Sequence, residues 1–237
     1  MRAVELSRFA AGIFIGAAIV SGCASRSADD AVVASVRRLR PSVVLLSMRV
    51  PPENKKDRYD DAYATGFVVA SGNWGSDVLT VQHAIDGAWR LRVTIANRWK
   101  APAKLVASNQ DLDLALLRTP RRNLPVISLG SSSQLQSDVG RELGLLGYPI
   151  PDEFSDEGLG LATSLDTGRL SSIRKDALEV TLSIVPGESG APVFIADTGE
   201  VVGVAESRFD EERSIGFALP VDDVKKFLHR SDRAHGF

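Results

Sequence analysis

From residue 43 onward the apolar side chains of this chain fall into short runs, each closed by Gly, Asn, Asp or Pro. Runs of that length, rich in Val, Leu and Ile and bounded by turn formers, predict β-strands. A first series covers 43–50, 66–70, 77–82, 90–97, 101–108 and 114–118. A second covers 142–148, 162–173, 178–184, 192–196, 201–206 and 215–219. Between them, residues 119–124 carry Pro120, Arg121 and Arg122 and read as a linker. Two helical patterns frame the strands. At 31–40, Val32, Val33, Val36 and Leu39 recur at helical spacing until Pro41 stops them. At 220–230, Pro220 opens the first turn, Asp222 and Asp223 follow it, and Lys225, Lys226 and Arg230 lie toward the far end, in keeping with the helix dipole. Val224, Phe227 and Leu228 form its packed face. The charged stretches 51–61 and 149–160 read as solvated loops. The expectation is an all-β protein of sandwich or paired-barrel type with a short helix at each end.

Composition leaves that picture unchanged. The chain has 237 residues, 44% hydrophobic and 24% charged, enough to bury a substantial core. A net charge of −2, with no basic stripe along the chain, gives no reason to expect nucleic acid. The first residues are of another kind. Arg2 and Arg8 precede an apolar run over 9–20 that is too short to span a bilayer comfortably, so 1–22 reads as a secretory leader. It ends in Val20-Ser21-Gly22-Cys23, and Cys23 is the sole cysteine, so no disulfide forms within the chain. Val-Ser-Gly-Cys resembles a bacterial lipobox, which would make Cys23 the lipid attachment site and membrane anchor; the alternative is a small-residue cleavage site that contains a cysteine. Ala24, rather than Asp, follows the cysteine, and by resemblance to Gram-negative lipoproteins this favours the outer membrane. Residues 23–30 read as a tether.

Three residues carry candidate chemistry. Ser189 lies in Pro186-Gly187-Glu188-Ser189-Gly190-Ala191-Pro192. A serine between glycines is either a nucleophile on a sharp turn, with the Gly187 and Ser189 N–H groups aimed at a developing oxyanion, or an ordinary Gly/Pro turn. His83 follows the apolar run Val78-Leu79-Thr80-Val81, which delivers it to a strand end, as a base or as a satisfied core residue. His229 and His235 fall in the last helix and tail, where solvation is the default. Asp113 heads Leu114-Ala115-Leu116-Leu117 and is either a turn residue or the buried acid that orients an imidazole; Asp111 is its competitor. The order His, Asp, Ser is one of the known triad orders, with His and Asp in the first strand series and Ser in the second.

Taken together, these stretches resemble trypsin-like serine proteases of the HtrA/Deg type. The matching segments are Pro41-Ser42-Val43-Val44, Ala64-Thr65-Gly66-Phe67-Val68-Val69, Val78-Leu79-Thr80 leading to His83, Asp113-Leu114-Ala115-Leu116-Leu117, Gly187 to Pro192, Gly199-Glu200-Val201-Val202-Gly203-Val204 and Ile215-Gly216-Phe217-Ala218-Leu219-Pro220. The resemblance spans roughly 31–230. It implies two six-stranded antiparallel β-barrels of chymotrypsin type, over 31–124 and 125–237, with the site in the cleft between them. It also implies that His83, Asp113 and Ser189 cleave polypeptide through an acyl-enzyme without metal or organic cofactor. Ser183, six residues before the nucleophile, would line the specificity pocket with Ile215, favouring small or medium apolar side chains. Glu206, Ser207 and Arg208 would pair with the substrate as an added strand. Glu188 stands where the family commonly has Asn, and Ala191 where it has Gly; the Glu188 side chain is expected to point away from the oxyanion hole. No PDZ domain is expected after the last helix, and the oligomeric state is left open. The competing reading is a silent or latent protease fold acting as a lipid-anchored binding module.

Overall fold

The computed structural model describes residues 27–52, 58–206 and 215–235. The leader and Cys23 lie outside the described residues. In chain order the elements are α1 (Ala28–Leu39), β1 (Val43–Val50), β2 (Asp60–Gly72), β3 (Gly75–Val81), β4 (Trp89–Ile95), β5 (Trp99–Pro102), β6 (Lys104–Asn109), β7 (Leu114–Thr119), β8 (Glu142–Gly147), α2 (Pro151–Asp156), β9 (Ser164–Ile173), β10 (Leu178–Val180), β11 (Pro192–Ile195), β12 (Val201–Glu206), β13 (Gly216–Pro220) and α3 (Val221–His235).

The all-β class expected from the sequence is the one observed. Strands β8 to β13 close into a six-stranded barrel of order β10-β13-β12-β11-β8-β9. The first half differs in detail from a closed six-stranded barrel, being a seven-stranded antiparallel sheet of order β5-β4-β1-β2-β3-β7-β6. The seventh strand comes from the run at 101–108, expected to be one strand, which bends at Ala103. Its first part pairs with β4 and its second with β7, while the Ala103 N–H turns to the Leu91 carbonyl. The two edges of this sheet therefore adjoin in sequence, and the bend curls it into a half-barrel.

Several strands carry apolar residues at consecutive positions because both of their faces are buried. Alternate residues of a strand point to opposite faces. In β1, Val44, Leu46 and Met48 fill the first barrel, while Val43 and Leu45 face the second. Strand β7 divides likewise, Ala115 and Leu117 inward and Leu114 and Leu116 outward. The outward set joins Leu39 of α1, Tyr148, Phe194 and Phe227 of α3 in one core shared by both halves. A separate core of Leu143, Leu145, Leu178, Val193 and Val202 fills the second barrel.

The helices begin and end differently from expectation. Ser27 Oγ accepts the Asp30 N–H, and Asp29 and Asp30 occupy the first turn, so α1 starts before residue 31 and takes residues 28–30 from the expected tether. Pro220 closes β13 instead of opening the helix, and α3 continues to His235. Asp222 ties α3 to the preceding chain by accepting hydrogen bonds from the Ser131 and Ser132 hydroxyls and the Ser133 N–H.

Candidate active site

Strand β3 ends at Val81, and a single 3₁₀ turn over His83–Ile85 follows it. Asp113 precedes β7, the neighbour of β3. It holds that turn by three bonds: its carbonyl accepts the Gln82 N–H at 3.0 Å, its Oδ1 the His83 N–H at 2.8 Å, and its Oδ2 the His83 Nδ1–H at 2.5 Å. A carboxylate can only accept here, so Nδ1 carries the proton and Nε2 is left as the basic atom. The backbone of Asp113 is left-handed, with φ of 49°, a conformation Asp tolerates better than most residues. Asp111, the alternative acid, is exposed. The bond to Asp113 raises the His83 pKa above its ordinary value; burial opposes the rise, and the charges of Asp113 and Glu206 add to it.

The turn at 186–190 reaches across from the second barrel to β2 and β3. The Thr65 N–H donates to the Ser189 carbonyl at 3.0 Å, and the Thr65 hydroxyl donates to the Gly187 carbonyl at 2.7 Å while accepting the Tyr148 N–H at 3.0 Å. Gly190 lies against Thr80 and the Thr65 carbonyl with no room for a Cβ, at φ of 89°. Ser189 is thus packed on β2 and β3, whose chain reaches His83 three residues past Thr80. Gly187, with φ of 92°, lies equally tightly against the Tyr148 carbonyl and Pro151. Among the described residues, neither the Gly187 N–H nor the Ser189 N–H donates to a backbone carbonyl, whereas the Glu188 N–H between them donates to Val185. An oxyanion hole at this turn would use the Gly187 and Ser189 N–H groups.

The Glu188 side chain turns into the second barrel toward Gly147, is only 3% exposed, and accepts the Val185 N–H at 3.1 Å. Burial pushes its carboxyl up to about 7; the bond from Val185 lowers it and the Asp166 charge raises it further. Asp166, on β9, accepts the Ser183 N–H at 2.7 Å with one oxygen and the Thr167 N–H at 2.8 Å with the other. Two carboxylates therefore brace the segment 183–185 from beneath. That segment, expected to continue β10, makes no ladder beyond Val180 and forms a wall outside the regular sheet. Ser183 is exposed on it, and Gly216 packs behind it against the Leu182 carbonyl and Ile184.

Of the other sequence-predicted site residues, Glu206 ends β12, buried and near enough to His83 to act on its charge. Ile215 is 47% exposed at the entry to β13, beside this wall. Ser207 and Arg208 lie outside the described residues. His229 is an exposed α3 residue. Thr65, Tyr148 and Asp166 were missed by sequence reasoning; only Thr65, within Ala64-Thr65-Gly66, lay in a motif. The stretch 149–160 is less solvated than expected, since the Ile150 N–H donates to the Pro186 carbonyl at 2.7 Å and Pro151 is buried against Gly187.

A family model described as a trypsin-like peptidase domain matches residues 64–204. The chain belongs to the trypsin-like peptidase domain family. Among its relatives in this family is a Do-like serine protease of Bacillus subtilis (strain 168), 34% identical over 64% of this chain and 34% of the relative. A probable periplasmic serine endoprotease, DegP-like, of Hahella chejuensis is 30% identical over 67% of the chain and 33% of its own length. The chain thus spans about a third of these curated relatives. Of solved structures, a serine endoprotease from Yersinia pestis superposes with a TM-score of 0.67 at 26% identity, over 85% of this chain and 66% of that one. An HtrA-type protease solved with a tripeptide has the same trypsin-like fold, with a TM-score of 0.70 at 22% identity over 86% and 64%.

Proposed function

We propose that this chain is a serine endopeptidase of HtrA type that cleaves extended polypeptide, with Ser189 as nucleophile, His83 as base and Asp113 as orienting acid. The observation that carries the reading is the pair of hydrogen bonds from His83 to Asp113 just past the end of β3, with the Ser189 turn packed on Thr80 of that strand. His83 Nε2 would take the Ser189 proton as the hydroxyl attacks the scissile carbonyl. The imidazolium so formed is stabilised by Asp113, and the Gly187 and Ser189 N–H groups receive the oxyanion. Collapse of the tetrahedral intermediate expels the amine, protonated by His83, and water then releases the acyl group by the same steps in reverse. The exposed Ser183 and the neighbouring Ile184 and Ile215 favour small or medium apolar side chains at the cleavage position. Asp166 does not alter that reading, because both its oxygens are engaged by backbone N–H groups. Residues 206–208 would pair with the substrate as an added strand.

The relatives named as periplasmic support an envelope location, and Cys23 supplies the lipid anchor in this reading, with the outer membrane as its destination. A fluorophosphonate probe tests the site. The wild-type chain is expected to be labelled at Ser189, and Ser189→Ala and His83→Ala to abolish labelling. Absence of label on a folded wild-type protein, with and without peptide ligands, would favour a silent or latent protease fold.

A further inference from the structure

The barrel end opposite His83 gathers a charge that the linear sequence conceals. The register of β2, β3 and β7 brings Gly72, Gly75 and Thr119 to one end, and that of β4 and β5 brings the turn at 96–98 to the same end. Residues 72–77, 96–104 and 118–123 there contain six cations (Arg98, Lys100, Lys104, Arg118, Arg121 and Arg122) and one acid, Asp77. Asp77 is buried and bound in two-pronged fashion by Arg118, so its charge is already matched. The remaining five cations stand on a chain whose overall charge is −2.

Two tryptophans are set among them. Trp74 and Trp99 are 49% and 54% exposed, beside Arg118 and Arg121 at 4.4 and 5.3 Å from the respective ring centres. A rigid sheet end that shows water large indole rings between guanidinium groups has the chemistry of a membrane-interface anchor. Indoles partition to the headgroup level, and Arg and Lys are drawn to anionic phosphates.

We propose that this end of the first barrel is a docking surface for an anionic phospholipid bilayer, with Trp74 and Trp99 entering the headgroup layer and Arg98, Lys100, Arg121 and Arg122 bound to lipid phosphates. The charge complementarity selects this partner over a zwitterionic surface, and the exposed indoles select it over a soluble polyanion. Docked in this way, the protein holds His83 at the far end of β3, about 20 Å further from the lipid, facing the aqueous space. The proposal rests neither on the protease reading nor on Cys23, and an acyl anchor elsewhere in the chain would act with it as a second attachment.

Trp89, 39% exposed at the opposite end of the sheet, gives an internal control. The test uses the full chain in two forms: Trp74→Phe/Trp89→Phe, which leaves Trp99, and Trp74→Phe/Trp99→Phe, which leaves Trp89. Each is mixed with phosphatidylcholine vesicles of brominated acyl chains, with and without about 30 mol% phosphatidylglycerol. Trp99 fluorescence is expected to be quenched on the anionic vesicles and restored by about 0.5 M salt, while Trp89 is unquenched. Arg98→Glu/Arg121→Glu/Arg122→Glu, with all tryptophans kept, is expected to lower partitioning at least about a hundredfold, roughly fivefold for each cation lost. Equal quenching of Trp99 and Trp89, equal quenching with and without anionic lipid, or partitioning unchanged by the charge reversals would overturn the proposal. Binding to heparin or single-stranded DNA that is sensitive to the reversals, with no quenching on vesicles, would also overturn it.

Discussion

Glu188 occupies the turn beside the candidate nucleophile, yet its carboxyl is buried and carries a pKa near 7. An unfolded Glu titrates near ~4.3. The folded protein therefore binds this proton more tightly than the unfolded chain. The associated stability is fully present below about 4.3 and falls as pH rises from there to about 7. Glu188→Gln keeps an oxygen to accept the Val185 N–H and removes the charge. Urea denaturation is expected to find the variant more stable than the parent by on the order of 3 kcal/mol at pH ~8 and equal to it at pH ~4. A gain that is the same at both pH values would point to packing instead of charge. His83 shifts in the same direction for a different reason, its hydrogen bond to Asp113. Because the base must be neutral to accept a proton, the acid limb of kcat/KM is expected above the unperturbed ~6.5. Asp113→Asn should move that limb downward and reduce kcat by about 10⁴-fold, since the amide cannot hold the required tautomer. A pH-rate profile that keeps its limb in the variant would remove Asp113 from the role.

At the scale of elements, the turn at 186–190 is held by β2 as well as by its own barrel. The Thr65 hydroxyl is buried between the Gly187 carbonyl and the Tyr148 N–H, so Thr65→Val strands two backbone groups without changing side-chain volume. The expected result is a loss of about 2–4 kcal/mol in stability and a fall of roughly 10- to 100-fold in kcat, with Thr65→Ser restoring most of both. A variant of normal kcat on the same substrate would mean that the turn keeps its shape without this bridge. Little of this was legible in the sequence, because a bridge between residues 65, 148 and 187 leaves no local pattern. What was legible depended on periodicity and order. The apolar runs of β1 and β7 announced strands, and Asp113 stood out by adjoining Leu114. The bend at Ala103 was hidden because the strand-like pattern continues on both sides of it. The support that Ile150 gives to Pro186 runs through backbone atoms, which any residue but proline supplies. The basic barrel end was hidden for a topological reason, its cations being drawn from two separate segments and its tryptophans from a third and one of these.

At the scale of the whole molecule, the core shared by both halves is expected to make them one folding unit. Phe67 and Leu79 from the first half meet Tyr148 and Phe194 from the second, all essentially without exposure. Neither half could separate without presenting that surface to water, at roughly 25 cal/mol for each Å² of apolar area. All three tryptophans lie in the first half, at 74, 89 and 99, so their fluorescence reports that half alone. Amide hydrogen exchange along β8 to β13 reports the other. The two probes are expected to give one urea midpoint. Phe194→Ala, in a half that contains no tryptophan, should lower the fluorescence midpoint as much as the exchange midpoint, by an amount equivalent to about 3–5 kcal/mol. If the tryptophan signal kept its parental midpoint while the second half unfolded early, the shared core would be a contact between two independent domains. The placement of His83 relative to Ser189 would then depend on how those domains dock. If the midpoints move together, the geometry of the site is set by folding itself, since His83 and Ser189 are carried by the two halves that share this core.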